Sequence, residues 1–326
     1  MDLSTQYMGL QLANPVIVAS CSLVNSVEGV KRCADAGAGA VVLKSLFEEQ
    51  VDTETEDLEQ YLWLSGHAEA FEYVRKMGMA LGPREYLTLV DEAKRAVSIP
   101  VIASLNCISP KWWVDYAKQV AAAGADALEL NISVMPSDPS YTSEETERIY
   151  YRILEGVKGH ISLPIAVKLG PYFTSLARVA DELSRRGASA LVLFNRFYRL
   201  DIHHDKLELA TGYPFSTPDE MSLPLRWIGL LAGRINCDLA ASTGVHDGDG
   251  VVKLLLVGAT AVQICSTLYL NGLGRIGSML EQVEAWMKAH RVSSLVEIRG
   301  KLSQMQSDRP ALYERLQYIK ALVGME

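Results

Sequence analysis

Ser20, Lys44, Asn106, Asn131, Lys168 and Asn195 share one feature: each stands at the polar end of a short apolar run. Ser242-Thr243-Gly244 and Ser266-Thr267 close two further runs. Two lysines and three asparagines of this kind are costly to bury without partners, so a purely structural scaffold has no use for them. Amide side chains donate and accept hydrogen bonds at once. They suit a large, flat ligand whose edge alternates donors and acceptors. Hydroxyls and backbone N–H groups at the two Ser/Thr sites suit a phosphate. A lysine beside such a ring would stabilise negative charge developing on it.

The elements that must position these residues are written as an internal repeat. Gly37-Ala38-Gly39-Ala40-Val41-Val42-Leu43-Lys44 recurs as Gly124-Ala125-Asp126-Ala127-Leu128-Glu129-Leu130-Asn131. It recurs again as Gly187-Ala188-Ser189-Ala190-Leu191-Val192-Leu193-Phe194-Asn195 and Gly258-Ala259-Thr260-Ala261-Val262-Gln263-Ile264-Cys265. In each copy a glycine ends a helical pattern, and an apolar strand follows. A second series interleaves: Pro15 to Ser20, Pro100 to Ser104, Pro164 to Lys168, and Asp238 to Ser242 without the proline. Proline is tolerated at a strand's first position, where no ladder donor is needed. Eight such runs suit parallel strands buried on both faces.

Helical patterns lie between them, over Ser26 to Ala36, Pro83 to Val97, Pro110 to Ala123, Ser143 to Lys158, Thr174 to Arg186 and Gly248 to Leu256. Ser143-Glu144-Glu145-Thr146 places acids in a first turn, where the helix dipole favours them. Strands alternating with helices over about 250 residues predict a (β/α)8 TIM barrel. A doubly wound open sheet is the rival, but no GxGxxG follows the first strand. The expected organisation is one domain over 1–326, with insertions at about 45–82 and 196–225 and a helical tail from Gly274. The first insertion is acidic (Glu48-Glu49, Asp52, Glu54, Glu56-Asp57, Glu59) and reads equally as a lid, a solvated excursion or a dimer contact. Both insertions follow strand C-termini, the face on which barrels build their sites.

Composition narrows the ligand. The chain has 326 residues, 49% of them hydrophobic, and a formal net charge of −8. Nucleic acid and anionic membranes are therefore poor partners. No signal peptide or membrane-length apolar run is visible, so a soluble, cytoplasmic protein is expected. The five cysteines are odd in number and lack CxxC spacing, which argues for free thiols and against a metal centre. His203-His204 lacks a ligand pattern, and of Trp112-Trp113 one is expected in the core. A phosphorylated flavin fits the ring of amides, lysines and hydroxyls.

Taken in order, these strand ends resemble the class 1 dihydroorotate dehydrogenases, FMN enzymes with a (β/α)8 fold. The resemblance covers nearly the whole chain. It rests on Asn14-Pro15-Val16 through Ser20, Lys44-Ser45, Glu129-Leu130-Asn131-Ile132-Ser133, Val167-Lys168-Leu169, Asn195, Ser242-Thr243-Gly244-Val245, Gly258 to Ile264, and Ile298-Arg299-Gly300-Lys301-Leu302. It implies that Ala19, Ser20, Lys44, Asn106, Asn131 and Lys168 contact the flavin ring or ribityl chain. Ser242, Thr243, Gly244, Ser266 and Thr267 would hold the phosphate, and Asn131 and Asn195 would face orotate. Such enzymes remove a proton from C5 of dihydroorotate while hydride passes from C6 to flavin N5. A homodimer and an electron-transfer partner subunit are also implied.

The match breaks in the loop after Asn131. The family places Ser, then its base (Cys in class 1, Ser in class 2), then Pro-Asn. Here the chain reads Ser133-Val134-Met135-Pro136-Ser137. Val134 takes the base position and cannot accept a proton, and Pro136 stands where a substrate-binding Asn is expected. Around Met77-Gly78-Met79, Arg75 aligns with another family Asn. Asn195 is followed by Arg196-Phe197-Tyr198-Arg199 rather than small polar residues. Three readings stay open. One is a dihydroorotate dehydrogenase whose base has moved to Ser133, Ser137, Tyr141 or Cys107. Another is an FMN oxidoreductase for a different small anion met by Arg196 or Arg199. The last is a flavin- or phosphate-binding barrel without turnover. Lys44, Asn131, Ser133 and Asn195 are the expected catalytic group.

Overall fold

The interleaved apolar runs close into a ring. In chain order the strands are β1 (Thr5–Tyr7), β2 (Leu10–Leu12), β3 (Val16–Val18), β4 (Ala40–Val42), β5 (Leu46–Phe47), β6 (Val101–Asn106), β7 (Ala127–Asn131), β8 (Ile165–Leu169), β9 (Ala190–Leu193), β10 (Leu200–His203), β11 (Glu208–Thr211), β12 (Asp238–Ser242) and β13 (Ala261–Ile264). The main sheet runs β4-β3-β13-β12-β9-β8-β7-β6-β5, and a further β4–β6 pairing closes it into an eight-stranded barrel. All its pairings are parallel. The computed structural model describes residues 1–47, 83–107, 110–135, 137–196, 200–211, 215–308, 310 and 314. The acidic insertion, Arg75, Met77-Gly78-Met79, Pro136 and Phe197-Tyr198-Arg199 lie outside the described residues.

The helices between strands are α1 (Val27–Asp35), α2 (Pro83–Ala96), α3 (Pro110–Ala122), α4 (Ser143–Lys158), α5 (Leu176–Arg185), α6 (Ser222–Leu231) and α7 (Gly248–Val257). A short α8 (Ser266–Asn271) and the outer α9 (Arg275–Ala289) follow. Their ends obey local chemistry. Thr142 and Glu145 form a capping box on α4, and Asp247 caps α7 through Gly250 N. Gly258 ends α7 at φ 117°, a conformation open to glycine. The (β/α)8 expectation and all six predicted helices are therefore observed, each boundary within two residues.

Two features were not anticipated. The N-terminal segment is an antiparallel hairpin, β1–β2, turning at Met8 and Gly9, both with positive φ. It plugs the barrel floor: Tyr7, Met8 and Leu12 pack against Ala40, Ala127, Ala166, Ala190, Ala240 and Ala261. Those alanines leave the room that Tyr7 fills. The second insertion carries another hairpin, β10–β11, whose first strand is fully exposed and includes His203. Of the tryptophan pair, Trp113 is buried and Trp112 partly so. No helix among the described residues is long and apolar enough to cross a membrane.

Candidate active site

Side chains alternate across a strand, so residues two apart share a face. Ile17, Val42, Ile102, Ala127, Ala166, Val192, Ala240 and Ala261 face the barrel interior. Counting on by twos, Ala19, Lys44, Ser104, Asn106, Glu129, Asn131, Lys168, Ser242, Gln263 and Cys265 share that face. The interior thus grades from an alanine floor to polar side chains at the C-terminal mouth.

Midway up lies a buried ionic cluster. Lys168 Nζ donates to Gln263 Oε1 at 2.9 Å and lies 3.4 Å from Glu129 Oε1. Gln263 Nε2 donates to Glu129 Oε2 at 2.5 Å. Glu129 and Gln263 are each 1% exposed and Lys168 6%. A lone charge at this depth would be expensive, and the carboxylate makes the ammonium tolerable. Glu129 and Gln263 were missed as site residues. Their signal was present in the alternation, since a charged residue on the inward face of a barrel strand needs a partner there.

Above the cluster the expected asparagines meet. Asn195 Nδ2 donates to Asn131 Oδ1 at 2.9 Å, although the residues lie 64 apart in sequence. Lys44, Asn106, Asn131 and Asn195 are all half-buried. Ser20 is held by Ser45, whose N–H donates to Ser20 Oγ at 2.8 Å. The hydroxyls continue inward, Ser20 to Ser45 at 3.1 Å and Ser45 to Ser104 at 2.8 Å, with the Tyr86 hydroxyl donating to Ser104 O. Ala19 is buried beside them. Ser133 is different. It stands exposed on the loop after β7, as do Ser137 and Tyr141, while Cys107 is buried. Val134 is half-buried, and its N–H donates to the Tyr150 hydroxyl.

The two Ser/Thr sites converge on one residue that sequence reading passed over. Ser216 N donates to Ser266 Oγ at 2.9 Å, and Gly244 N donates to Ser216 Oγ at 3.3 Å. His246 Nε2 lies 3.2 Å from the same hydroxyl. Burial, the largest influence, lowers the His246 pKa, against the opposing hydrogen bond with Ser216. Ser216 lies in an irregular stretch of the second insertion, without a repeat to mark it. Thr243 takes φ 82°, unusual for a residue with a Cβ, and its hydroxyl donates to Phe194 O. Ser242 is buried. The Thr267 hydroxyl is fully buried and donates to His246 O, so that side chain braces the loop from behind.

Arg196 reaches back to the same segment. Its Nε donates to Glu220 Oε2 at 2.9 Å and a terminal nitrogen donates to Phe215 O at 3.0 Å. A cleft of about 280 Å³ opens here between Asn195, Arg196, Tyr172, Thr243 and Leu223.

The sequence profile of the dihydroorotate dehydrogenases matches residues 2–287. The chain belongs to the dihydroorotate dehydrogenase family. A relative from Methanothermobacter thermautotrophicus, named as the catalytic subunit of dihydroorotate dehydrogenase B (NAD(+)), is 27% identical, over 91% of this chain and 97% of the relative. Proteins of the same name from Pyrococcus furiosus and Methanocaldococcus jannaschii are each 26% identical. They cover 92% and 91% of this chain, and 98% and 97% of their own lengths. The family match spans every strand of the barrel.

Proposed function

We propose that this chain oxidises dihydroorotate to orotate with FMN held at the barrel mouth. The observation that carries the reading is the stack formed by Glu129, Lys168 and Gln263 beneath the Asn131–Asn195 pair. The residues present fit FMN. Lys168 has three N–H donors, and Glu129 and Gln263 take two of them, which leaves one for the N1/O2 edge of a flavin ring. Ala19, Ser20, Lys44, Asn106 and Asn131 line the rest of the ring and ribityl path. Ser242, Thr243, Gly244, Ser266 and Thr267, with Ser216 added, form the phosphate loop.

When bound, the flavin supplies the hydride acceptor. The chain's own residues bind, orient and deprotonate. Asn131 and Asn195 fix the substrate's amide edge, and their mutual hydrogen bond pre-sets both side chains. The Lys168 charge, held in place by Glu129 and Gln263, would stabilise negative charge on a bound flavin. Ser133 is the residue we assign to the C5 proton. It is a hydroxyl two positions past Asn131, exposed to solvent on the loop after β7. Arg196 is tied to Glu220 and Phe215, so it serves the loop rather than a substrate carboxylate. The named relatives are NAD(+)-linked catalytic subunits, and we propose a homodimer that hands electrons to a separate electron-transfer subunit in the cytoplasm.

Anaerobic titration of the purified yellow protein with dihydroorotate tests this. Bleaching of the flavin band with one orotate formed per flavin is the expected result. A flavin-loaded protein that stays yellow excludes the substrate, and a colourless protein that refuses added FMN excludes the cofactor.

A further inference from the structure

One carboxylate stands between the substrate side of the mouth and the Ser/Thr loop. Glu220 lies in the helical turn Pro218–Met221, within the segment that crosses the loop after β12. Its Oε1 accepts from Thr217 N at 2.9 Å and caps that turn. Its Oε2 accepts from Arg196 Nε at 2.9 Å. Arg196 follows Asn195 directly, and a terminal nitrogen of the same guanidinium donates to Phe215 O at 3.0 Å. The guanidinium therefore grips the crossing segment at two points, Phe215 and Glu220. The two charged side chains are only 17% and 19% exposed, so water and salt screen the pair less than they would a surface pair.

The gripped segment forms a wall of the Ser/Thr loop. A Cβ on Gly244 would lie 2.2 Å from Met221 N and 2.9 Å from the Glu220 carbonyl carbon, so backbone packs on backbone there. Between the two held points lies Ser216. Its N–H donates to Ser266 Oγ at 2.9 Å, and its hydroxyl accepts from Gly244 N at 3.3 Å. Ser216 thus touches the chain that follows β12 and the chain that follows β13. Arg196 itself projects from fixed backbone. Asn195 N donates to Leu169 O at 2.7 Å, and Asn195 Nδ2 donates to Asn131 Oδ1 at 2.9 Å. An anchored arginine that holds a segment on both sides of Ser216 sets where its donors stand.

We propose that Arg196 and Glu220 are positioning residues that make the mouth select a phosphorylated flavin over the unphosphorylated one. They act through Ser216 and Gly244, and through these on the phosphate. The inference rests on the reading of the Ser/Thr loop as the phosphate site. It goes further in placing the selectivity outside the loop, in a pair that lines the cleft beside Asn195. Riboflavin and FMN share the ring and the ribityl chain and differ in the phosphate alone. A defect confined to the phosphate loop therefore separates the two ligands, while a general loss of fold or of the ring site weakens both.

The test is fluorescence titration of the full chain, freed of flavin, with FMN and separately with riboflavin. In Glu220→Gln the side chain has one oxygen, so it serves Thr217 or Arg196 and turns N–H donors against the other. FMN affinity should fall about tenfold, the size of one lost hydrogen bond to a charged group, and riboflavin affinity less than about threefold. Arg196→Met should shift the ratio the same way. The double variant should lose no more than the worse single one, because both changes break one contact. Arg196→Lys keeps the charge and gives up the fork. Its FMN-to-riboflavin ratio should also fall, and it carries the test if the other variants do not fold. If the wild type prefers FMN and the variants keep that preference, or lose both flavins equally, the inference is overturned and the phosphate site stands. Losses that multiply in the double variant overturn the pairing as well. A wild type that binds both flavins equally overturns the phosphate site and the inference together.

Discussion

At the scale of single residues, the decisive object is one ammonium group and what surrounds it. Lys168 is held by Glu129 and Gln263 in the barrel interior. Replacing Lys168 alone leaves the Glu129 carboxylate buried without its counter-charge, which costs roughly 3–5 kcal/mol when a buried pair is broken from one side. Replacing both partners by neutral side chains removes that penalty. Lys168→Met should therefore destabilise the protein by about 3 kcal/mol or more, and Glu129→Gln in the same chain should restore most of the loss. FMN binding should stay weak in both, because neither variant has the donor for the flavin edge. Urea unfolding and flavin absorbance per chain read the two effects separately. A double variant that regains wild-type flavin content would show that Lys168 serves the fold alone.

The ring of strand-end residues could be read from the sequence because a parallel barrel strand is short, apolar and abruptly polar at its end. Asn131 and Asn195 announced themselves that way, and the structure joins them. Glu129 and Gln263 sit in mid-strand, where a sequence shows one charged and one amide residue without showing that they and Lys168 meet across the barrel.

At the scale of elements, the Ser/Thr loop after β12 is shaped by the segment that crosses it. Gly244 has φ 79°, and a Cβ added there would lie 2.2 Å from Met221 N and 2.8 Å from Met221 Cα. Backbone cannot yield as a flexible side chain can, so the crossing segment and the loop would have to part. Gly9 provides the control. Its φ is also 79°, yet a Cβ there meets nothing within 4 Å. Gly9→Ala should lose only the left-handed backbone penalty of roughly 1–2 kcal/mol. Gly244→Ala should lose more stability and at least tenfold in FMN affinity, measured by fluorescence recovery on release of the flavin. Equal losses in the two variants would mean that the crossing segment does not set the loop. Residues 215–221 were opaque in the sequence for a physical reason. Phe215 and Ser216 are held by hydrogen bonds with Arg196, Ser266 and Gly244, and the helical turn that follows, Pro218–Met221, is too short to show a period. The hairpin β1–β2 escaped because three-residue strands show too little alternation to register.

At the scale of the whole molecule, the barrel is asymmetric along its axis: sealed and apolar at the floor, ionic in the middle, polar at the mouth. The seal is supplied by chain outside the eight-stranded repeat. Tyr7 is fully buried against the alanine layer, and the hairpin is pinned where Met8 N donates to Asp238 Oδ2 at 2.7 Å and Thr5 Oγ1 donates to Thr260 O at 3.2 Å. Tyr7 shares its cluster with six alanines and with Ile17, Val42, Ile102 and Val192, all on barrel strands whose ladders resist collapse, so truncating the plug leaves most of its volume empty. Tyr7→Ala should cost about 3–5 kcal/mol, the range for deleting a buried aromatic ring. Tyr7→Phe keeps the ring and its packing and should cost far less. Because the floor and the mouth are separated by the ionic layer, the folded Tyr7→Ala protein should keep its flavin spectrum and its response to dihydroorotate while unfolding at lower urea. If flavin content falls in step with stability, the two ends of the barrel are coupled, and the hairpin belongs to the site as well as to the scaffold.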